Sequence, residues 1–313
     1  SYGGVSGLTS GVVNAASNSM LSDLSEVINR SGAYGVGIFA TVDTSINIDR
    51  VSIICTSGTY NNGVYMIFAE SPLPNPSDLA EIPIVIRDST IYAIGGPVLH
   101  GLSAKSLSGG IDIHGLDVYL DNSGLSASGF SLYNLPGTPT FDNVIVRAKS
   151  NGSAYGFYLN PNASPVLRDS MVYVSTTGTG KSATGIYTRG TPTIYDSYVR
   201  AEGDPSSGSA SAYGIYIDDE QVFVDQSVVI ASTKSGTARG VHGQNTYGST
   251  AIATSTIVNS SITGATNTVY AAVSTLTFKI AGTMLNGGPV SATSPVCAGV
   301  YDEAFVFYVS TCP

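Results

Sequence analysis

A glycine followed by a bulky apolar residue recurs down this chain: Gly129-Phe130, Gly156-Phe157, Gly185-Ile186, Gly214-Ile215 and Gly240-Val241, at spacings of 27, 29, 29 and 26. A second marker travels with the first. Asp142, Asp169, Asp196 and Asp225 lie 27, 27 and 29 apart, each ahead of a β-branched or aromatic run. A fixed period of this length is the mark of a solenoid or array, in which no unit buries its apolar face alone and each must stack on its neighbours. Because such a core grows along one axis, 313 residues need not divide into two globules, and a single domain is expected.

Each unit holds three short β-prone runs. One unit reads Gly156-Phe157-Tyr158-Leu159, then Pro165-Val166-Leu167-Arg168-Asp169-Ser170, then Met171-Val172-Tyr173-Val174. The runs are rich in β-branched and aromatic residues, too short for helices, and bounded by Gly, Ser, Asp or Pro, which is strand chemistry. Polar connectors at 149–154, 176–183 and 203–212 vary in length and project from one corner. Three strands per turn make an all-β parallel β-helix of about nine coils of ~27 residues over 32–290, roughly 45 Å tall at the usual strand spacing.

The ends read differently. Over 11–30, Val12, Val13, Met20, Leu21, Leu24, Val27 and Ile28 approach helical spacing, so residues 1–31 are expected to form an arm and an amphipathic capping helix. Residues 291–313 are expected to cap the other end. Cys297 and Cys312, 15 apart, are expected to form a disulfide with Cys55 buried and free, the alternative being three reduced thiols. Such a bridge contributes on the order of 3 kcal/mol and belongs in an oxidising compartment. With no Met at Ser1-Tyr2-Gly3-Gly4, the chain reads as a processed, secreted, extracellular or cell-surface protein.

Charge narrows the partners. Only 11% of residues are charged, against about a quarter in ordinary soluble domains. The net charge of −9 argues against nucleic acid and against anionic membrane surfaces. No apolar run reaches the roughly 18 residues of a membrane span.

On this repeat pattern, residues 32–290 resemble the right-handed parallel β-helix proteins of the pectate-lyase-like superfamily. The tail Cys297-Ala298-Gly299-Val300-Tyr301-Asp302-Glu303 resembles the C-terminal ends of secreted bacterial β-helix proteins of unassigned role. The right hand comes from that resemblance and from the general preference of parallel crossovers. The superfamily includes polysaccharide hydrolases and lyases. His100-Gly101 and Arg147-Ala148-Lys149 look like fragments of the hydrolase pattern, but its Asp cluster is missing. All three His-Gly pairs (His100, His114, His242) read more simply as turns. The lyases need Ca²⁺, which takes six to eight converging oxygens. The Asp142, Asp169, Asp196 and Asp225 series is expected to stack as a column of turn stabilisers rather than a metal site. Asp218, Asp219 and Glu220 are the densest acidic cluster and the weak metal candidate, with a solvated loop as the alternative; no cofactor is otherwise expected. Arg147 and Arg200 sit in comparable strands two coils apart, where a lyase base or an ion-pairing strip fits.

The most suggestive surface is aromatic. Two positions after the marker glycine come Tyr158, Tyr187, Tyr216 and His242, whose neighbours Phe157, Leu159, Ile215 and Ile217 read as interior. Strand alternation then points the column outward, as a subunit interface, a sugar-stacking strip or plain surface. The first expectation is a non-catalytic extracellular structural protein, a homo-oligomer assembling into a filament or surface layer. The alternative is a polysaccharide-binding or polysaccharide-degrading β-helix protein.

Overall fold

The computed structural model describes residues 47–54, 83–105, 110–135, 137–205, 208–248 and 253–313 with their side chains. It also gives the backbone of the strands Leu8–Asn14, Ser19–Ser22, Ser25–Asn29, Tyr34–Thr41, Ile46–Asp49, Ser52–Ser57 and Val64–Glu70. The chain is a parallel β-solenoid, and no helix occurs among the described residues. Each turn runs through three faces. In one turn face 1 is Ser153–Leu159, face 2 is Val166–Arg168, face 3 is Met171–Thr176, and Ser182–Thr188 returns to face 1. Every strand pairs in parallel with its equivalent one turn away, as Phe157 with Ile186 and Val172 with Val199.

Face 1 is an eleven-stranded parallel sheet. About nine coils is not supported as a count: about seven turns, from Val98–Lys105 to Val290–Ser291, are described in full. The capping helix expected over 11–30 is also not there. Strands Leu8–Asn14, Ser19–Ser22 and Ser25–Asn29 take its place and pair with the next turn, Leu21 beside Ile48 and Ile28 beside Cys55. Short strands with breaks between them imitate a helical spacing of apolar residues, and pairing across 27 residues of chain, which decides the matter, leaves no local pattern. The side chain of Cys55 lies outside the described residues.

The interior follows from the apolar periodicity. Ala154, Phe157 and Leu159 from face 1, Leu167 from face 2 and Val172 and Val174 from face 3 are all fully buried, and equivalent residues stack rung on rung into one continuous core. The marker glycine is forced by this packing. A Cβ on Gly185 would lie 2.3 Å from Val199 Cγ1 and 2.5 Å from the Gly214 carbonyl oxygen, and Gly156 and Gly214 are in the same position. Face 1 therefore turns two successive residues inward, Gly156 and Phe157, which leaves Tyr158 outward. Gly185→Ala is expected to cost about 1–3 kcal/mol, read as a lower urea midpoint. Adding Val199→Ala recovers only part of the loss, because the Gly214 carbonyl is backbone and cannot retreat. A wild-type midpoint for Gly185→Ala would contradict this packing.

The aspartate marker corrects to two columns. Asp142 and Asp225 end face-2 strands, in register with Arg168 and Tyr195. Asp169 and Asp196 are one residue further on, at the corner between faces 2 and 3, with φ of 48° and 45°. That corner holds one left-handed residue per turn: Asp88, Gly115, Asn143, Asp169, Asp196, Gln226, Asn259 and Gly282 all have positive φ. Gly, Asn and Asp tolerate this conformation best, which is why Asp recurs here, interchangeably with Asn and Gly. The next position carries a buried hydroxyl ladder. Ser197 Oγ donates to its own Tyr195 carbonyl (2.6 Å) and accepts from the Ser170 N–H (3.2 Å), and Ser170, Ser227 and Ser260 repeat both bonds. Each turn thereby satisfies backbone groups that the tight corner removes from the sheet.

The C-terminal segment closes the last turn. Val296–Ala298 extends face 2, Val300–Asp302 extends face 3, and Phe307–Tyr308 folds back antiparallel on the latter. Cys297 and Cys312 are joined, with Cα atoms 5.3 Å apart. Asp302 pins the turn between them, accepting from the N–H groups of Ala304 and Val306 and from the Tyr308 hydroxyl, each at 2.9 Å.

Candidate functional site

The aromatic column on face 1 lies in register over successive rungs as Tyr158, Tyr187, Tyr216, His242 and Tyr270. The rings stack on one another. Tyr158 and Tyr187 are 4.7 Å apart and 10° from parallel, Tyr187 and Tyr216 5.4 Å and 28°, and His242 and Tyr270 5.3 Å and 8°. Ring faces are thus spent on neighbouring rings. The three Tyr side chains are half-buried, whereas His242 is only 4% exposed, held between Tyr216 and Tyr270. Tyr155 and Tyr213 stand beside the ladder on the same strands, with rings near perpendicular to Tyr158 and Tyr216 at 5.1 Å.

Electrostatics keep this ladder neutral. Burial first, then neighbouring tyrosines, pushes Tyr158 up to about 12. Burial and the Asp218 carboxylate raise Tyr187 and Tyr216 further, so all three hydroxyls remain donors. Tyr187 donates to Asp218 Oδ2 at 3.0 Å. Burial, with the charge of Arg239, pushes His242 down to about 4. Arg239 Nη1 lies 2.9 Å from His242 Nδ1. A guanidinium only donates, so Nδ1 is the acceptor and the imidazole proton sits on Nε2. Arg239 in turn lies 3.7 Å over the Tyr270 ring.

The other histidines are not brought to this column's centre. His100 lies on a face-1 strand, Val98–Lys105, 3.2 Å from Ser131 Oγ, and burial pushes it down to about 4. His114 precedes the left-handed Gly115 and pairs with Asp142 at 2.9 Å. Of the three following glycines only Gly115 has the left-handed backbone of a corner, within the strand Ile111–Asn122. The glycines after His100 and His242 are strand positions, and in His100-Gly101 the glycine is the marker that packs against Val118.

The acidic cluster is split. Asp218 is buried and accepts from Tyr187 and from the Thr246 N–H (2.8 Å); Asp219 has φ of 75° and accepts from the Tyr247 N–H (3.2 Å); Glu220 is exposed. Burial, then the charge of Asp218, raises the Asp219 carboxyl. Among the described residues no three His, Cys, Asp or Glu side chains converge as a metal site.

Sequence patterns did not single out a cleft on face 3. Arg147 and Arg200 do share an outward column, two rungs apart, with Tyr173 between them. Arg200 binds Glu202, which also accepts from the Tyr173 hydroxyl. The missed signal was the period itself: the positions that align with Arg147 and Arg200 one turn away are Tyr119 and Tyr173.

The fold places the chain in the class of parallel β-solenoids. No family model, curated protein or solved structure matches it.

Proposed function

We propose that this protein is a non-catalytic extracellular structural protein, a stiff rod that associates with copies of itself. The observation that carries the proposal is the face-1 ladder. Its outward aromatic residues are stacked on one another along the axis, from Tyr158 to Tyr270, so they brace successive turns instead of offering open ring faces to a ligand. The buried serine ladder braces the corner in the same direction. Rigidity along the axis is what a building element requires. The C-terminal end supplies exposed large apolar side chains, with Phe305, Phe307 and Val309 at 72%, 52% and 71% exposure, and exposed apolar surface favours association.

Light scattering and negative-stain imaging over a range of concentrations test the proposal. Higher-order species are expected to grow with concentration. Replacing Phe305 and Val309 together by Ser is expected to abolish them while leaving the melting temperature within a few degrees of wild type, since these two side chains are 72% and 71% exposed. A strictly monomeric wild type at every concentration would sink the idea.

A further inference from the structure

On the outside of face 3 the rungs carry, in order, Tyr92, Tyr119, Arg147, Tyr173 and Arg200. Tyr92 and Tyr119 stack at 4.9 Å and 10°, and Arg200 lies over Tyr173 at 6.0 Å. The ladder is interrupted between them. At the Arg147 rung there is instead a cleft of about 280 Å³, lined among others by Tyr119, Arg147, Lys149, Tyr173, Glu202 and Asp204.

The charges in the cleft are matched except for one. Glu202 is held by Arg200, Asp204 by Lys234, and Lys149 Nζ lies 3.6 Å from Asp121. Arg147 is exposed and has no ion-pair or hydrogen-bond partner among the described residues. A guanidinium free to bind bidentately, between two tyrosines, fits an anionic group carried on a ring. Tyr119 and Tyr173 are two rungs apart, about 9.6 Å at the usual strand spacing. Arg147 stands on the rung between them, so a saturated ring whose anion meets the guanidinium can lay C–H groups against either tyrosine.

We propose that this cleft binds a pyranose bearing a single carboxylate or sulfate within an otherwise neutral glycan. The single charge follows from the lining. Among the lining charges only Arg147 is unmatched, and Glu202 and Asp204 already hold Arg200 and Lys234, so a second anion on the adjacent sugar finds no cation to receive it. The remaining negative charge of the protein acts mostly beyond about 8 Å, where physiological salt screens it. A densely charged polyanion is therefore the wrong ligand. The site lies on a different face from the tyrosine ladder and does not depend on self-association.

Calorimetric titration of the intact chain tests this. Four probes are compared: a neutral tetrasaccharide, the same molecule with one glucuronic acid, the same with one sulfate, and polygalacturonate. At least one singly charged probe is expected to bind saturably, at least about tenfold tighter than the neutral one, and the stronger of the two identifies the anion. Arg147→Gln is expected to weaken that probe at least about tenfold and to leave the neutral probe and the melting temperature unchanged. Arg147→Lys is expected to recover part of the affinity, because charge returns without the bidentate fork. Equal binding of neutral and charged probes, an Arg147→Gln protein that binds like wild type, tighter binding per site of polygalacturonate, or no saturable binding at millimolar ligand would each overturn the proposal. None of these results alters the light-scattering experiment, so the two proposals fail separately.

Discussion

Replacing Phe157 by alanine is expected to cost about 3–5 kcal/mol, among the largest effects available to a single residue of this solenoid. The side chain is fully buried and lies 4.6 Å from Phe130 in a stacked pair, and Phe141 meets both rings edge-on at 4.9 and 5.0 Å. Three rings from two turns share one site, so truncating the middle one removes contacts on two sides. The rung above contributes Ile186, whose strand is held in register by its own ladder, so the cavity cannot collapse by sliding a strand. Repeat stacks distribute stability as local and nearest-neighbour terms. The loss should therefore appear as faster amide exchange in Ser126–Tyr133, Ser153–Leu159 and Ser182–Thr188 as well as a lower urea midpoint. Phe157→Leu should cost much less. A Phe157→Ala cost below about 1 kcal/mol would mean that the three rings do not pack as described.

Lowering the pH from 7.5 to 4 is expected to remove up to about 3 kcal/mol of stability through His242 alone. The sign follows from the direction of the shift. Burial and Arg239 push His242 down from an ordinary value of 6.5 to about 4. Between these values the unfolded chain binds a proton that the folded chain refuses, so the contribution is complete above about 6.5 and is lost as the pH falls toward 4. The groups facing the imidazole are Arg239, which opposes its protonation, and Asp218 and Gln244, which favour it more weakly. His100, also pushed down to about 4 by burial, adds to the loss in the same window. His242→Phe keeps a ring in the stack and removes the titration. Urea midpoints measured from pH 7.5 to 4 should therefore fall less steeply in this variant, with the remaining slope carried by His100. An unchanged slope would show that His242 is protonated in the folded protein near its ordinary value.

The period and the strand chemistry could both be read from the residues, for a shared physical reason. In a solenoid the same local environment recurs at each turn, so each rung must meet the same demand with the same residue type. Gly156, Gly185 and Gly214 recur because a Cβ at each would collide with Val172, Val199 or Val229 and with a neighbouring carbonyl. Asp, Asn and Gly recur at the corner because the backbone there is left-handed. What the pattern could not decide depends on which turn lies beside which. The segment 11–30 imitates a helix until Leu21 is set against Ile48. Asp142 and Asp169 look equivalent until pairing sets Asp142 against Arg168 and leaves Asp169 in the corner. Tyr158, Tyr187 and Tyr216 look like an open face until their rings are seen stacked on one another. Arg147 looks like one charge in a strip until its neighbours are found to be paired elsewhere. Sequence alone determined the repeating unit, because one turn's chemistry is local; only tertiary structure decided register, ring contacts and the unmatched charge, because each of these is a relation between turns roughly 27 residues apart in the chain.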